Sequence, residues 1–191
     1  EFWLAGYQYI KSLVMKGTYR TALEWAKFLM AMDPESDPYC MLLMIHHLGL
    51  RAFESQFVLS VYENQTLGNW SAYTAYLSPS LALAAMQLKE VTRARSLLKQ
   101  SIERLPWLFC RLFQELNLAN PPPSIWGAEP RTDAENLFSE IYIRQTKDLW
   151  NTPEATALLT EVARFSDKLN YQDLPILDNT SITLDVARFV Y

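Results

Sequence analysis

Residues 17–34 read GTYRTALEWAKFLMAMDP, and this stretch decides the fold. Apolar residues recur at spacings of three and four over 19–32, which predicts an amphipathic helix. Ala22 and Ala26 lie one turn apart on its apolar face, so a neighbouring helix can approach closely there. Pro34 ends the pattern because proline cannot continue a helix. The stretch therefore predicts the second helix of a tightly packed helical hairpin.

The same arrangement recurs further along the chain. Residues 2–16 have helical spacing, and Gly17 separates them from the next helix, which completes a tetratricopeptide-like hairpin. A second match combines 79–88 with 90–106, and its closing proline, Pro106, follows that of the first hairpin by 72 residues. This distance is two periods of about 36, close to the period of such repeats. The sequence therefore predicts a hairpin between the two.

Residues 38–63 supply the middle hairpin, although Gln56 and Ser60 stand where small residues are expected. For the third hairpin, Ser78 is predicted to cap a helix whose first residue is Pro79, since serine favours the cap and proline the first position. The three hairpins together predict a helical repeat stack.

The chain after the third hairpin is predicted to cover the stack. The successive segments are a helix over 107–116, a Pro-rich break over 120–127, a helix from the capping box at 132–135 to Trp150, a helix from Thr152-Pro153 to Leu169, and a tail over 170–191. The predicted fold is all-α: one domain over residues 1–191, with three tetratricopeptide-like hairpins in 1–106, capping helices in 107–169 and an extended C-terminal tail.

Composition excludes several functions. The net charge of −4 gives no general attraction for nucleic acid, so we expect no direct DNA binding. Cys40 and Cys110 lie in apolar runs, which favours buried free thiols over a disulfide or zinc site. Neither a signal peptide nor an apolar run long enough to span a membrane is present. The chain does not begin with methionine, so we expect a segment of a longer protein.

Catalytic chemistry is not indicated by the sequence. His46 and His47 are adjacent, hence about 100° apart on a helix, and do not converge on one metal ion. We expect one in the core or a partner contact and the other in solvent. No phosphate-binding loop, nucleophile elbow or zinc motif is found. The prediction is a protein that is not an enzyme, with no catalytic residues, no metal site and no cofactor.

The concave face of a repeat stack is the natural place for a ligand, and here it is predicted to be apolar. A clamp for terminal carboxylates needs several cations, and Lys11 stands almost alone. Such a face is filled by the chain's own Pro-rich loop or C-terminal segment, or it is an open peptide site. The Pro-rich loop itself either docks on its own protein or recruits an aromatic-lined domain. The predicted groove residues are Leu4, Tyr7, Lys11, Val14, Met15, Met41, Ile45, Leu48, Tyr76, Leu83, Met86 and Gln87.

The run GTYRTALEWAKFLMAMDPESDP at 17–38, followed by CMLLMIHHLGLRA at 40–52, resembles the signature of the transcription factor 25 family. That signature is a Gly-x-[Tyr/His]-Arg-Thr-Ala-Leu-Glu run that leads through an acidic Asp-Pro segment into a Leu/Ile-rich helix. The close match covers about 40 residues. The closing run at 188–191 matches the family only loosely.

The resemblance implies a non-catalytic adaptor of ribosome-associated quality control. Its implied partners are a RING-type ubiquitin ligase, ubiquitin, the 60S subunit with a stalled nascent chain, and the Cdc48/p97-type ATPase. The implied process is lysine-48-linked ubiquitination and extraction of incomplete chains in the cytoplasm, with no membrane contact. Family members also carry a lysine-rich N-terminal region. The family's name leaves a nuclear regulator acting through protein contacts as the alternative.

Four residues in or beside the matched run are candidate partner contacts: Arg20, Glu24, Asp37 and His47, all expected to be exposed. Arg20 and Glu24 are four residues apart on one helix, so they are also expected to be able to pair with each other.

Overall fold

The computed structural model describes residues 1–34, 36–63, 71–118, 120–176 and 187. Over these ranges the chain is all-α and contains no strand, which confirms the predicted fold class. The helices are α1 (Phe2–Met15), α2 (Tyr19–Met32), α3 (Leu42–Arg51), α4 (Ser55–Glu63), α5 (Ser71–Gln87), α6 (Val91–Arg104), α7 (Pro106–Glu115), α8 (Asp133–Trp150) and α9 (Pro153–Phe165), followed by a short 3-10 turn at Tyr171–Asp173. No helix in the described ranges is both long and apolar enough to cross a membrane.

The first six helices form three hairpins with a 36-residue period. Their turns share one geometry, in which the residue after the first helix's cap takes a left-handed conformation at Gly17 (φ +72°), Phe53 (φ +58°) and Lys89 (φ +64°). The next residue's N–H bonds to a carbonyl five residues earlier at 2.9–3.0 Å in all three turns, as in a Schellman motif. First helices end at Met15, Arg51 and Gln87, and second helices begin at Tyr19, Ser55 and Val91.

Close approach within the first two hairpins depends on glycine in their first helices. A Cβ on Gly6 would lie 2.9 Å from Cδ1 of Leu29, and a Cβ on Gly49 would overlap the side chain of Val58. The middle hairpin has Val58 where the first has Ala22, and Gly49 on α3 leaves room for it. Gln56 is exposed, so a small residue is not needed there.

The predicted start of the third hairpin is wrong. Helix α5 begins at Ser71 and runs through Pro79, which lies inside the helix. Proline has no N–H for the carbonyl four residues before it, which belongs to Ala75. The Ser78 hydroxyl donates to that carbonyl at 2.7 Å and satisfies it. Ser78 thus compensates for the proline within the helix instead of capping its start.

Two hydrophobic cores lie along the stack. The first joins α1 and α2 to one face of α3, and the second extends from α3 to α9. Met30 and Val61 pack against both cores. Helix α7 closes the far end by packing on α6, and buries Trp107 and Phe113. Helix α8 packs on α5 and α7, and α9 packs on α6.

The predicted caps of the last two helices are present. The Thr132 hydroxyl accepts from the N–H of Glu135, and the Thr152 hydroxyl accepts from that of Ala155. Helix α9 ends at Phe165, earlier than predicted, because Ser166 is extended and its hydroxyl donates to a carbonyl of the last turn. Of the predicted tail, residues 177–186 and 188–191 lie outside the described residues.

Candidate interaction surface

The inner face of the second and third hairpins is covered by α8. His46 on α3 lies at the centre of this contact: its Nδ1 is 2.9 Å from the Ser80 hydroxyl of α5, and its Nε2 is 3.0 Å from Oε1 of Gln145 on α8. The His46 ring stacks on Tyr142 at 5.6 Å.

Helix α8 thus lies where the sequence predicts the Pro-rich loop or the tail. Of the predicted groove residues, Tyr76 contacts α8. The prediction is wrong for Met41, Ile45 and Leu48, which face the core of the first hairpin.

A charged pair fixes α8 at the edge of this contact. The Arg51 guanidinium donates to both carboxylate oxygens of Asp148, at 2.6 and 2.7 Å, and to the Gln145 carbonyl at 2.9 Å. This pairing lowers the pKa of Asp148. Arg51 also lies over the Tyr19 ring of α2, 5.4 Å from its centroid. One side chain therefore links the first hairpin, the second hairpin and α8.

Both histidines are buried, so the predicted exposure of His47 is wrong. His47 is 5% exposed because α3 packs on α2 of the first hairpin and on α5 of the third. All nine residues from Leu42 to Leu50 are buried. Burial lowers the pKa of His46 to about 4 and that of His47 well below its usual value. Both rings are therefore neutral at pH 7. An apolar pattern on every side of α3 is the sequence signal for this burial.

Asp37 is also buried, which corrects the second expectation of an exposed contact. Its carboxylate accepts from the N–H groups of Met41 at 2.8 Å and Leu42 at 3.0 Å, at the start of α3. Burial raises the pKa of Asp37, and these two hydrogen bonds oppose the shift. The side chain is occupied in holding the connection between the first two hairpins, and a partner cannot reach it.

Arg20 and Glu24 are exposed, as predicted, but they do not pair with each other. Arg20 reaches across to Glu54 in the turn of the second hairpin, at 2.9 Å. Glu24 pairs with Lys27 at 2.7 Å, and the Lys27 ammonium lies 4.0 Å from the Phe57 ring centroid. Exposed pairs contribute roughly 0–1 kcal/mol. The two side chains therefore remain available for other contacts on one face of α2.

The Pro-rich segment docks on its own protein. Ile125 is fully buried, and the Ser124 hydroxyl donates to the Ala163 carbonyl of α9 at 2.6 Å. An open cleft of about 440 Å³ lies between this segment and α7, lined in part by Arg111 and Trp126. The loop therefore packs against α7 and α9 while it leaves the Trp126 ring in solvent.

Sequence reasoning missed a buried ion pair between Arg131 and Glu135. The Glu135 carboxylate accepts from the N–H of Arg131 at 2.7 Å and from its guanidinium at 2.6 Å. The guanidinium also donates to the carbonyls of Tyr171 and Leu174, at 2.8 and 2.7 Å. The capping box predicts that the Glu135 carboxylate accepts from the N–H of the cap residue, Thr132. Here it accepts from the N–H and the guanidinium of Arg131 instead.

Among the described side chains, no group of three or more His, Cys, Asp or Glu is arranged to hold a metal ion. The two cysteines are buried thiols outside any disulfide, as expected from their apolar surroundings. Four predicted contact residues thus divide into two that serve the fold and two, Arg20 and Glu24, that face solvent.

The fold and this surface define a helical-repeat protein whose own helix α8 lies on the second and third hairpins. A family described as transcriptional repressor TCF25 matches residues 1–185. The chain belongs to this family, which confirms the resemblance noted in the signature.

Three curated relatives carry names from ribosome quality control. The chain is 26% identical to ribosome quality control complex subunit 1 of Saccharomyces cerevisiae, over 83% of this chain and 22% of the relative. It is 27% identical to the Schizosaccharomyces pombe protein of the same name, over 85% and 24%. It is 25% identical to ribosome quality control complex subunit TCF25 of human, over 84% and 27%. The chain thus spans about a quarter of each relative, and no solved structure matches it.

Proposed function

We propose that this chain is the helical adaptor region of a non-catalytic subunit of the ribosome-associated quality control complex. In this role it assists a RING-type ligase in building lysine-48-linked ubiquitin chains on stalled nascent chains at 60S subunits in the cytoplasm. The marked chains then pass to a Cdc48/p97-type ATPase. The chain needs no cofactor, DNA or membrane for this role.

The observation that carries the proposal is the extent of the matches. Three relatives named as subunits of the quality control complex align with more than four fifths of this chain. A rigid stack supports an adaptor role physically, because helix faces hold partners at fixed distances without chemistry of their own. On this stack, Arg20 and Glu24 are the proposed contacts for the ligase or ubiquitin, since both side chains extend into solvent from one face of α2.

The family description favours a second candidate, a nuclear regulator of transcription that acts through protein contacts. Fractionation of the full-length protein separates the two. Exclusive association with chromatin, with none of the protein in the ribosomal fraction, would favour the nuclear role over the ribosomal one.

The proposal is tested by ubiquitin-chain assembly on purified 60S subunits carrying stalled chains. Reactions contain the ligase with or without the full-length protein, and the readout is the rate and the linkage of the chains. We expect faster assembly and more lysine-48 linkage when the protein is present. Identical rate and linkage in both reactions would refute an adaptor role in ubiquitination.

Charge reversal tests the proposed contacts in the same assay. Arg20→Glu should reduce chain assembly, since its side chain is 78% exposed and its loss leaves the core intact. Arg144→Glu on α8 is the matched control, because its side chain is 68% exposed and also forms a surface ion pair. An equal effect of both variants would show that chain assembly responds to the overall charge of the protein and not to a contact on α2.

A further inference from the structure

The chain beyond α9 crosses the surface of the stack at residues 166–176, which we call the strap. Eight of its eleven residues are exposed. Tyr171 and Leu174 are half-buried and pack against the larger core. Ala187, further along the chain, is fully buried in the same core. The strap is therefore an exposed segment between two parts of the chain that belong to the folded core, and little apolar surface holds it in place.

The middle of the strap is a turn whose hydrogen bonds close within the strap itself. The N–H of Asp173 donates to the carbonyl of Asn170 at 3.0 Å, and the N–H of Leu174 donates to that of Tyr171 at 3.3 Å. The side-chain amide of Asn170 also donates to the Asp173 carboxylate at 2.7 Å. Because none of these bonds reaches the stack, the turn can keep its shape when the strap leaves the stack.

A single side chain, that of Arg131, attaches the strap through three hydrogen bonds. Its guanidinium donates to the carbonyls of Tyr171 at 2.8 Å, Leu174 at 2.7 Å and Pro175 at 3.3 Å. Hydrogen bonds from a charged donor are stronger than those between neutral groups. The guanidinium is itself held at 2.6 Å by the fully buried Glu135 carboxylate. It therefore stays in position as an anchor whether or not the strap is bound.

The other polar links between the strap and the stack are weaker. The Tyr171 hydroxyl is 3.5 Å from the carbonyl of Gly127, at the limit of a hydrogen bond. The Lys168 ammonium lies 5.9 Å from the centroid of the Trp126 ring, and the ion pair between the strap and α6 is exposed and 3.9 Å long. Exposed pairs of this kind contribute little. Among the described residues, Arg131 thus makes the main polar attachment.

The strap also lies along one wall of the open cleft between α7 and the Pro-rich segment, because Trp126 and Gly127 line that cleft. Segments with few buried apolar contacts open at a lower free energy than the helices around them. We propose that the strap opens as one unit, with α8 and α9 still folded, when its hydrogen bonds to Arg131 break. Opening moves Lys168 away from Trp126 and Tyr171 away from Gly127, and so uncovers this wall of the cleft.

Chymotrypsin cleavage of the full-length protein over a series of urea concentrations, followed by mass spectrometry, tests the opening. Cleavage after the half-buried Tyr171 reports on the strap, and cleavage after Tyr142 in α8, which is buried, reports on unfolding of the stack. We expect cleavage after Tyr171 to be faster and to depend less on urea, since local opening exposes less surface than unfolding. The same urea dependence at both sites would show that the strap opens only with the whole fold, and would overturn the proposal.

The variant Arg131→Lys tests the attachment. Lysine keeps a positive charge beside Glu135, but one ammonium cannot bond the carboxylate and three carbonyls together. Without urea, cleavage after Tyr171 should become at least tenfold faster, whereas Arg95→Lys, in an exposed pair with Glu161, should leave it unchanged. Unchanged cleavage after Tyr171 in Arg131→Lys, shown to be folded by circular dichroism, would overturn the proposal. If this variant does not fold, the urea dependence in the wild type decides. Neither result depends on ubiquitin-chain assembly, which tests the proposed function alone.

Discussion

Replacing Arg131 by methionine should destabilise the fold by about 4 kcal/mol, because removal of one partner of a buried ion pair costs about 3–5 kcal/mol. The Arg131 side chain is 9% exposed and that of Glu135 is fully buried, so the carboxylate would lose its countercharge without gaining water. The substitution also removes the donors to the carbonyls of Tyr171 and Leu174. In a chain of this size the loss corresponds to a fall in melting temperature of roughly 8–16 °C.

An exposed pair of similar geometry provides the control. Arg95 donates to both oxygens of Glu161, at 2.9 and 3.2 Å, but both side chains are about half exposed. Arg95→Met should therefore cost less than about 1 kcal/mol. The double variant Arg131→Met with Glu135→Leu should recover part of the stability lost in Arg131→Met, because no unpaired buried charge remains.

Urea unfolding at pH 7, followed by tryptophan fluorescence and circular dichroism, gives the free energy of unfolding for each variant. The order expected is wild type, then Arg95→Met slightly below it, then the double variant, with Arg131→Met the least stable. If Arg131→Met were no less stable than Arg95→Met, burial would not determine the strength of this pair, and the reasoning would be refuted.

Three further changes test other parts of the fold. Burial holds the pKa of His46 at about 4 in the folded chain, against 6.5 for an unperturbed histidine. Because the unfolded chain binds more protons below pH 6.5, the free energy of unfolding decreases as the pH is lowered from 7 to 5. Urea unfolding should show that the decrease in the free energy of unfolding from pH 7 to pH 5 is about 2 kcal/mol smaller in His46→Gln than in wild type. An equal decrease in both proteins would contradict this. Lys89→Gly should stabilise the fold by about 0.5–1 kcal/mol and Lys89→Ala should not, because the backbone at residue 89 is in the left-handed region. The same urea midpoint for both variants would show that the backbone there is not strained. Leu23→Asp, at a fully buried position, should cost several kcal/mol and abolish cooperative melting; circular dichroism showing a near wild-type melting temperature would contradict this.

Much of the architecture follows from local sequence. Apolar spacing predicts the helices of the hairpins, and the two closing prolines predict the 36-residue period that the turns repeat. Thr132 and Thr152 cap the helices that they were expected to cap, since a side-chain oxygen there satisfies a free N–H. These features depend on neighbours a few residues away, which the sequence displays directly.

Features that depend on distant contacts were not predictable. His46 bonds to Gln145 across 99 residues, and Tyr76 bonds to the Glu135 carbonyl across 59. An amphipathic pattern shows which helix face is buried, but not which segment buries it, so α8 could not be placed on the inner face. For the same reason the sequence predicts Asp37 as an exposed contact, although its carboxylate accepts from the first N–H groups of α3.

Sedimentation of the full-length protein through a sucrose gradient, after translation has been stalled in cells, tests the central claim most directly. If the chain belongs to an adaptor of ribosome quality control, the protein should migrate with 60S subunits and should move to the top of the gradient when the subunits are dissociated. A protein that stays at the top of the gradient under all conditions, and is recovered with chromatin instead, would contradict the claim.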